Sequence, residues 1–434
     1  MSFTSALSDR EFRTLWTAQL VSKLGNVIHE IALIYLVYVV TGEPLLIAAV
    51  AVASLGSTAV FTLPAGALVD RWNRARALVA ASVLRGVAIL CIPIAANTGY
   101  LIEVAILAAL VAGIGQAFVG PARDAVVPQI VPESTLDSAN ALIQMTDSFA
   151  KTLYVFAGLL VAIVGPIAAF YVNAATFFVA AALLSRLRVP HPSTGSADVG
   201  AGQRDRSVID EIRDGMTYLI THPVLPSVLL LTGVVGLALG PLAIVIPFYG
   251  EQALGVEANG GVGTGNLATT FGLLYTAVYV GVFLGGGIVN GIRKDIRRHR
   301  GLGIVLGVFL MGTTLAGLAV APALVGRTLG IATLLLLVFG ISAAIVQVLT
   351  TTYVQRALPE DRHGKVFSLI SIAAVSTPPL GIFLAGIGIE VASVYVVLIG
   401  QGVLMVLTAF ALLGTPIGKL GDRASKTVTE PTAQ

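Results

Sequence analysis

Charge is what this sequence has least of. Only 11% of its 434 residues are Asp, Glu, Lys or Arg, where a water-soluble domain carries about a quarter. With 56% hydrophobic residues and a mean hydropathy of +0.91, the chain has more apolar surface than any core could hide from water, which excludes a soluble globule. Its one cysteine, Cys91, excludes an intrachain disulfide and reads as a small packing residue. The five histidines form no group with metal-ligand spacing, so no metal is expected. No Ser/His/Asp set converges, and an intramembrane enzyme is the weaker rival. Gly414–Leu420 (GTPIGKL) is one residue short of a phosphate loop, and the glycine run Gly260–Gly265 has no βαβ pattern after it. No cofactor and no nucleic-acid partner are therefore expected.

What the chain does have is long apolar runs. Crossing ~30 Å of hydrocarbon takes ~20 mostly apolar residues, and charge, Pro and Gly punctuate the sequence into twelve such segments. The first six are Thr14–Val40, Leu45–Leu63, Ala77–Ala96, Leu101–Phe118, Ala141–Val164 and Pro166–Leu184. The second six are Val224–Ile246, Thr270–Ile292, Leu302–Ala321, Leu329–Thr351, Phe367–Ile387 and Ser393–Leu413. The first run is too long for a signal peptide and lacks a small-residue cleavage site, so it is expected to remain as a span. With the N-terminus inside, only Arg327 of the 26 Lys and Arg falls outside, while Lys23, Arg85 and Lys151 lie within spans. That bias predicts a multi-pass cell-membrane protein in a lipid bilayer with both termini cytoplasmic.

One long polar stretch divides the chain. The expected organisation is a six-helix bundle over 1–189, a cytoplasmic linker over 190–222, and a second bundle with its tail over 223–434. Within the linker Ile209, Ile212, Met216, Leu219 and Ile220 share one face, as in a helix lying along a membrane surface. The two halves are related: shifting by 227 residues places Gly113–Ile143 on Gly340–Ile370 without a gap and with nine identities in 31 positions. Pro132-Glu133 falls on Pro359-Glu360 in a loop, where apolar composition cannot explain a match. Parallel repeats of this kind build transporters.

Ionisable groups at membrane depth are costly and mark pathways. In the first span Gln19, Lys23, Asn26 and Glu30 fall within about a 60° arc at 100° per residue, with His29 beside them. The fifth span repeats the pattern with Asn140, Gln144, Asp147 and Lys151. Asp147 and Lys151 stand i, i+4 and could neutralise each other. Glu30 and Asp147 are candidate proton carriers, and Lys23, Asn26, Lys151 and Arg85 of span three candidate cavity residues. His29 is better read as a hydrogen-bonding group between helices. The second half carries almost no charge in its spans, but Tyr275, Tyr279 and Phe283 recur at helical spacing. With Phe61, Phe149, Tyr154 and Phe156 of the first half they could form an aromatic wall for a hydrophobic substrate. Pro378-Pro379 is expected to break span eleven.

Between spans two and three, Gly66-Ala67-Leu68-Val69-Asp70-Arg71-Trp72-Asn73-Arg74-Ala75-Arg76 resembles the major facilitator signature G-x-L-x-D-R-x-G-R-x-R, with Asn73 where the second glycine stands. Asn tolerates a left-handed turn. The resemblance extends through Phe12–Asn26, Val126–Leu142, Phe170–Leu184, Asp214–Pro223 and Gln355–Leu369, and is to the branch of the superfamily that holds enterobactin exporters and macrolide efflux pumps. It implies an all-α membrane fold of twelve helices in two pseudo-symmetric bundles, no enzymatic activity and a monomer. In the family the loop aspartate meets the start of span eleven, which would make Asp70 a latch with Gly66, Arg71 and Arg74 around it. The antiporter Gly-Pro pattern of span five is incomplete: Gly158 and Gly165-Pro166 are present, but Val155-Phe156 occupies one of its places. The expected activity is alternating-access transport of a small molecule, most simply proton-coupled efflux of a hydrophobic or amphipathic compound. An uptake symporter and a non-transporting membrane receptor are the alternatives.

Overall fold

The computed structural model describes residues 3–189, 217, 220–256, 266–291, 300–357 and 360–417. Helices and their connecting turns make up these residues, with no strand among them. This is what hydrocarbon demands, because a backbone out of reach of water must satisfy its own N–H and C=O groups. After a short α1 (Phe3–Ser8), the first half contains α2 (Arg10–Thr41), α3 (Pro44–Arg71), α4 (Arg74–Ile94), α5 (Leu101–Ile130), α6 (Leu136–Thr152), α7 (Tyr154–Val164) and α8 (Pro166–Leu184). The second half contains α9 (Leu225–Leu239), α10 (Leu242–Gln252), α11 (Leu267–Gly291), α12 (Arg300–Val325), α13 (Leu329–Ala357), α14 (Glu360–Val391) and α15 (Val394–Leu413). With α9 and α10 taken as one, eleven of these are long and apolar enough to cross a membrane; α6 and α7, bent by 48° at Leu153, jointly make the twelfth. The chain has the all-α fold of twelve spans that its apolar runs predict.

By contact the chain divides into two compact units. One comprises Met1–Ser196 with Ile246–Thr276 and Ile382–Glu390, and the other Ala197–Val245, Ala277–Gly381 and Val391–Gln434. In the first, α3 packs on α5, α4 on α5 and α8, and α2 on α8. In the second, α12 packs on α13 and α15, and α9 on α15. Counted as spans, each half repeats the same pairings: third with fourth, third with sixth, first with sixth. The internal repeat also survives at one atom. Gly113 lies against the Ser54 carbonyl of α3, and Gly340, its partner at a shift of 227, lies against the Val278 carbonyl of α11. At both places a side chain would overlap the neighbouring backbone, so glycine sets how closely the fourth span approaches the second.

The structure corrects several expectations. Helix α14 runs unbroken through Pro378-Pro379. Prolines at mid-span cost two ladder bonds but need not end a helix when neighbouring helices hold it. The seventh span continues past Ile246 to Gln252, and the fourth past Phe118 to Ile130, carrying Pro121 and Pro128 inside it. Asn73 is not left-handed: its backbone is extended (φ −67°, ψ 111°) and its side chain caps α4 by accepting the Arg76 N–H at 3.1 Å. Asparagine serves there as an N-cap rather than as a stand-in for glycine. Of the expected linker helix, Ile209, Ile212, Met216 and Leu219 lie outside the described residues, as does the Gly260–Gly265 run.

Candidate functional site

The polar stripe of α2 opens onto a cavity of about 230 Å³. Gln19, Lys23 and Asn26 line it from α2, Arg85 from α4, Arg123 from α5 and Asp147 from α6. All of these lie in the first unit. Helix α6 is held against α2 by the indole of Trp16, whose Nε1 donates to Thr146 Oγ1 at 2.9 Å. That contact sets the rotation of α6 and turns the neighbouring Asp147 into the cavity.

Asp147 is where the charges meet. Lys23 Nζ stands 2.6 Å from its Oδ1 and Arg123 Nη1 3.7 Å from its Oδ2. Arg123 also donates from Nε to Asp124 at 2.9 Å. The expected Asp147–Lys151 pair is therefore not the one formed. Both sit on α6, but docking aims Asp147 across at α2 and α5, where two cations from other helices outcompete one along its own. Lys23 of α2 is the nearer partner. Arg123 was missed in the sequence because Gly120-Pro121 reads as the end of span four. The available signal was Gln116 and Arg123 at i, i+7, which share a helix face.

Arg85 is 7% exposed. Its Nη2 donates to Asn26 Oδ1 at 2.7 Å, and its guanidinium carbon lies 4.2 Å from the centre of the Phe177 ring of α8. Among the described residues Arg85 forms no direct ion pair, and Glu30 acts on it only through space. An amide oxygen and an aromatic face take its charge instead.

Glu30, deeper along α2, accepts a hydrogen bond from the hydroxyl of Tyr154, the first residue of α7. The charges of Lys151, Lys23 and Arg85 act on it through space. Tyr154 is thus not an open substrate-facing aromatic. It is 3% exposed and stacks on Tyr275 of α11 at 5.1 Å between ring centres. Phe61 and Phe149 do present open surfaces, while Tyr279 is half-buried and belongs to the other unit. His29 packs its ring edge-on to Phe170 at 5.7 Å, and its Nδ1 is buried without a hydrogen-bond partner, so the expected bond between helices is not made. Farther along α2 the Tyr38 hydroxyl donates to Glu251 of α10 within an aromatic group that includes Phe248 and Phe271. Nothing in the sequence singled out Glu251.

Of the loop motif, Gly66 lies on α3, Arg71 is exposed, and Arg74 reaches from the start of α4 to the Ala125 carbonyl of α5 at 3.5 Å. The side chain of Asp70 lies outside the described residues.

A dozen apolar spans, with a charged cavity lined by four helices of one unit, are the build of a membrane carrier. The model of the Major Facilitator Superfamily matches residues 15–381, and the chain belongs to that superfamily. It is a transporter of small molecules and not an enzyme. It is 27% identical over 425 residues to the multidrug efflux pump Tap of Mycolicibacterium fortuitum, covering 94% of this chain and 96% of the relative. It is 23% identical over 380 residues to macrolide efflux protein A of Streptococcus pyogenes, covering 87% and 89%. A solved POT family transporter in complex with 5-aminolevulinic acid superposes with a TM-score of 0.71 over 94% of this chain and 97% of that one. At 12% identity that likeness shows the fold alone.

Proposed function

We propose that this transporter exports a hydrophobic or amphipathic small molecule in exchange for protons. It would act as a monomer by alternating access in the cell membrane, with both termini in the cytoplasm and two six-helix halves joined by residues 190–222. Relatives named as efflux pumps match it across nearly its whole length, and the Lys/Arg distribution supports the orientation.

The observation that carries the coupling is the pairing of Glu30 with a phenol. A tyrosine hydroxyl donates to a carboxylate and accepts from a carboxylic acid, so it serves Glu30 in both protonation states. Asp147, clamped between Lys23 and Arg123, is suited instead to a fixed charge that orders the cavity. Glu30 is accordingly the proton carrier in this proposal.

The test is transport in proteoliposomes with an imposed proton gradient, using erythromycin, ethidium and a catecholate siderophore as probes. Gradient-driven export of at least one is expected. Glu30→Gln should abolish the dependence on the gradient while leaving downhill exchange of the probe. Wild-type coupling in Glu30→Gln would overturn the proposal, and proton and probe moving in the same direction would make the protein a symporter.

A further inference from the structure

Span five is broken where its own sequence gives no cause. A kink above 20° ordinarily marks a proline, a glycine or a side chain inserted into the hydrogen-bond ladder. The 48° bend at Leu153 sits in Ala150-Lys151-Thr152-Leu153-Tyr154-Val155, which has neither proline nor glycine. Around it the ladder tightens: Leu153 N–H bonds back to Ala150 at 3.1 Å and Phe156 N–H to Leu153 at 3.0 Å. Those shifts strand two backbone groups, the N–H of Val155 and the carbonyl of Thr152, whose helical partners are no longer in line. One side chain meets both. Thr276 Oγ1 of α11 accepts from Val155 N–H at 2.7 Å and donates to the Thr152 carbonyl at 3.4 Å. An unmet backbone group away from water costs several kcal/mol, so this hydroxyl is a bridge across the break.

What the bridge holds in place is Tyr154, the residue between those two groups. Its ring lies on Tyr275, the neighbour of Thr276, and its hydroxyl reaches Glu30. One turn before Thr276, Gly272 lets α11 approach so closely that a Cβ there would overlap the Tyr154 carbonyl. We infer that Thr276 is a positioning residue: its hydroxyl fixes the break of span five in the shape that delivers Tyr154 to Glu30. The proton site is then complete only while the segment Leu267–Thr276 is docked. When that segment withdraws, Val155 N–H and Thr152 C=O lose their bridge, the break relaxes and Glu30 loses its phenol. Protonation and conformation are thereby coupled through one threonine. This rests on the proposal that Glu30 carries the proton, and gives that site its link to the moving helix.

The charged and titratable groups around Glu30 are Tyr154 on α7, Lys151 on α6, Lys23 on α2 and Arg85 on α4, with His29 its neighbour on α2. Thr276 carries no charge, so removing its hydroxyl leaves that set intact and any change in titration must come through geometry. Infrared difference titration of the purified protein in detergent follows the Glu30 carboxyl band, assigned by its loss in Glu30→Gln. Tyr154→Phe removes a hydrogen bond that is stronger to the carboxylate than to the acid, and should raise the midpoint by about one pH unit. Thr276→Val should raise it by a similar amount and Thr276→Ser should restore it. The double variant Thr276→Val/Tyr154→Phe should shift no further than Tyr154→Phe alone. If Thr276→Val does not reach the membrane, Thr276→Ala removes the same hydroxyl. A wild-type midpoint in the hydroxyl-less variant, or in Tyr154→Phe, overturns the inference. Because the band is read without substrate, a failure here is distinct from a failure of proton-driven export in vesicles.

Discussion

Lys23 on α2 reaches across to Asp147 on α6, with Nζ 2.6 Å from Oδ1, and leaves Lys151, one turn from Asp147 on the same helix, to other company. The side chains are 25% and 28% exposed, so the pair is partly open to the cavity rather than sealed. Removing one partner strands the other. Lys23→Met and Asp147→Asn should each lower stability by about 1–3 kcal/mol, less than for a fully buried pair. The double variant should cost less than the sum. Thermal unfolding in detergent reads this cycle, and strictly additive losses would show that the two groups do not depend on each other.

Arg85 should not tolerate lysine. A lysine keeps the charge but lacks the planar fork that places one nitrogen on Asn26 Oδ1 at 2.7 Å and a flat face on Phe177. Arg85→Lys is expected to cost about 1–2 kcal/mol. Unfolding midpoints for Arg85→Lys and Asn26→Ala, alone and together, measure it, and a fully stable Arg85→Lys would mean the fork is not needed.

His222 gives the start of α9 a pH dependence. Its Nδ1 accepts the N–H groups of Val224 and Leu225 at 3.2 and 3.3 Å, a cap that requires an unprotonated nitrogen. Partial burial holds its pKa below the ordinary histidine value of 6.5. A folded pKa lower than the unfolded one means the stabilisation is present above the unfolded value and is lost as pH falls through the folded one. As pH falls through that lowered value, the Val224 and Leu225 amides should therefore lose protection, with exchange taken relative to the intrinsic rate at each pH. His222→Asn should keep a cap without the pH response, while His222→Ala should lose about 1 kcal/mol at neutral pH. A protection factor at Val224 and Leu225 that does not change with pH in the wild type would refute the cap.

Glycine-to-alanine should change sign with position. At Gly113 and Gly340 an added Cβ overlaps the backbone of the crossing helix, and each substitution should destabilise by about 1–3 kcal/mol. At Gly400, in the interior of α15, nothing lies within 4 Å. There alanine should be neutral or stabilise by up to about 1 kcal/mol. Equal effects at all three would deny the close approach that relates the two halves.

The spans, the repeat and the polar stripe of α2 were legible because each is a property of one segment or of two segments compared. Glu30, Lys23, Asn26, Arg85 and Asp147 stood out as charged or polar groups in apolar runs, and the structure brings the last four around one cavity. Their partners were not legible. Arg123 lay hidden behind a Gly-Pro that reads as a helix end, and Asp147 looked bound to Lys151 because only neighbours along a helix are visible in a linear chain. Tyr154 read as an open aromatic, since nothing local shows that Leu153 is a break or that Thr276 bridges it.

The sequence by itself determined that this chain crosses a membrane a dozen times as helices in two related halves, with a few charges left at depth. Hydrocarbon imposes that outcome on any run of apolar residues, whatever surrounds it. Which charge neutralises which, where span five bends, and which hydroxyl meets Glu30 were decided only by tertiary structure. Those choices depend on how docked helices are rotated and how closely glycines let them approach, and the contacts of Trp16 with Thr146, Tyr154 with Glu30 and Val155 with Thr276 each join residues more than a hundred positions apart in the chain.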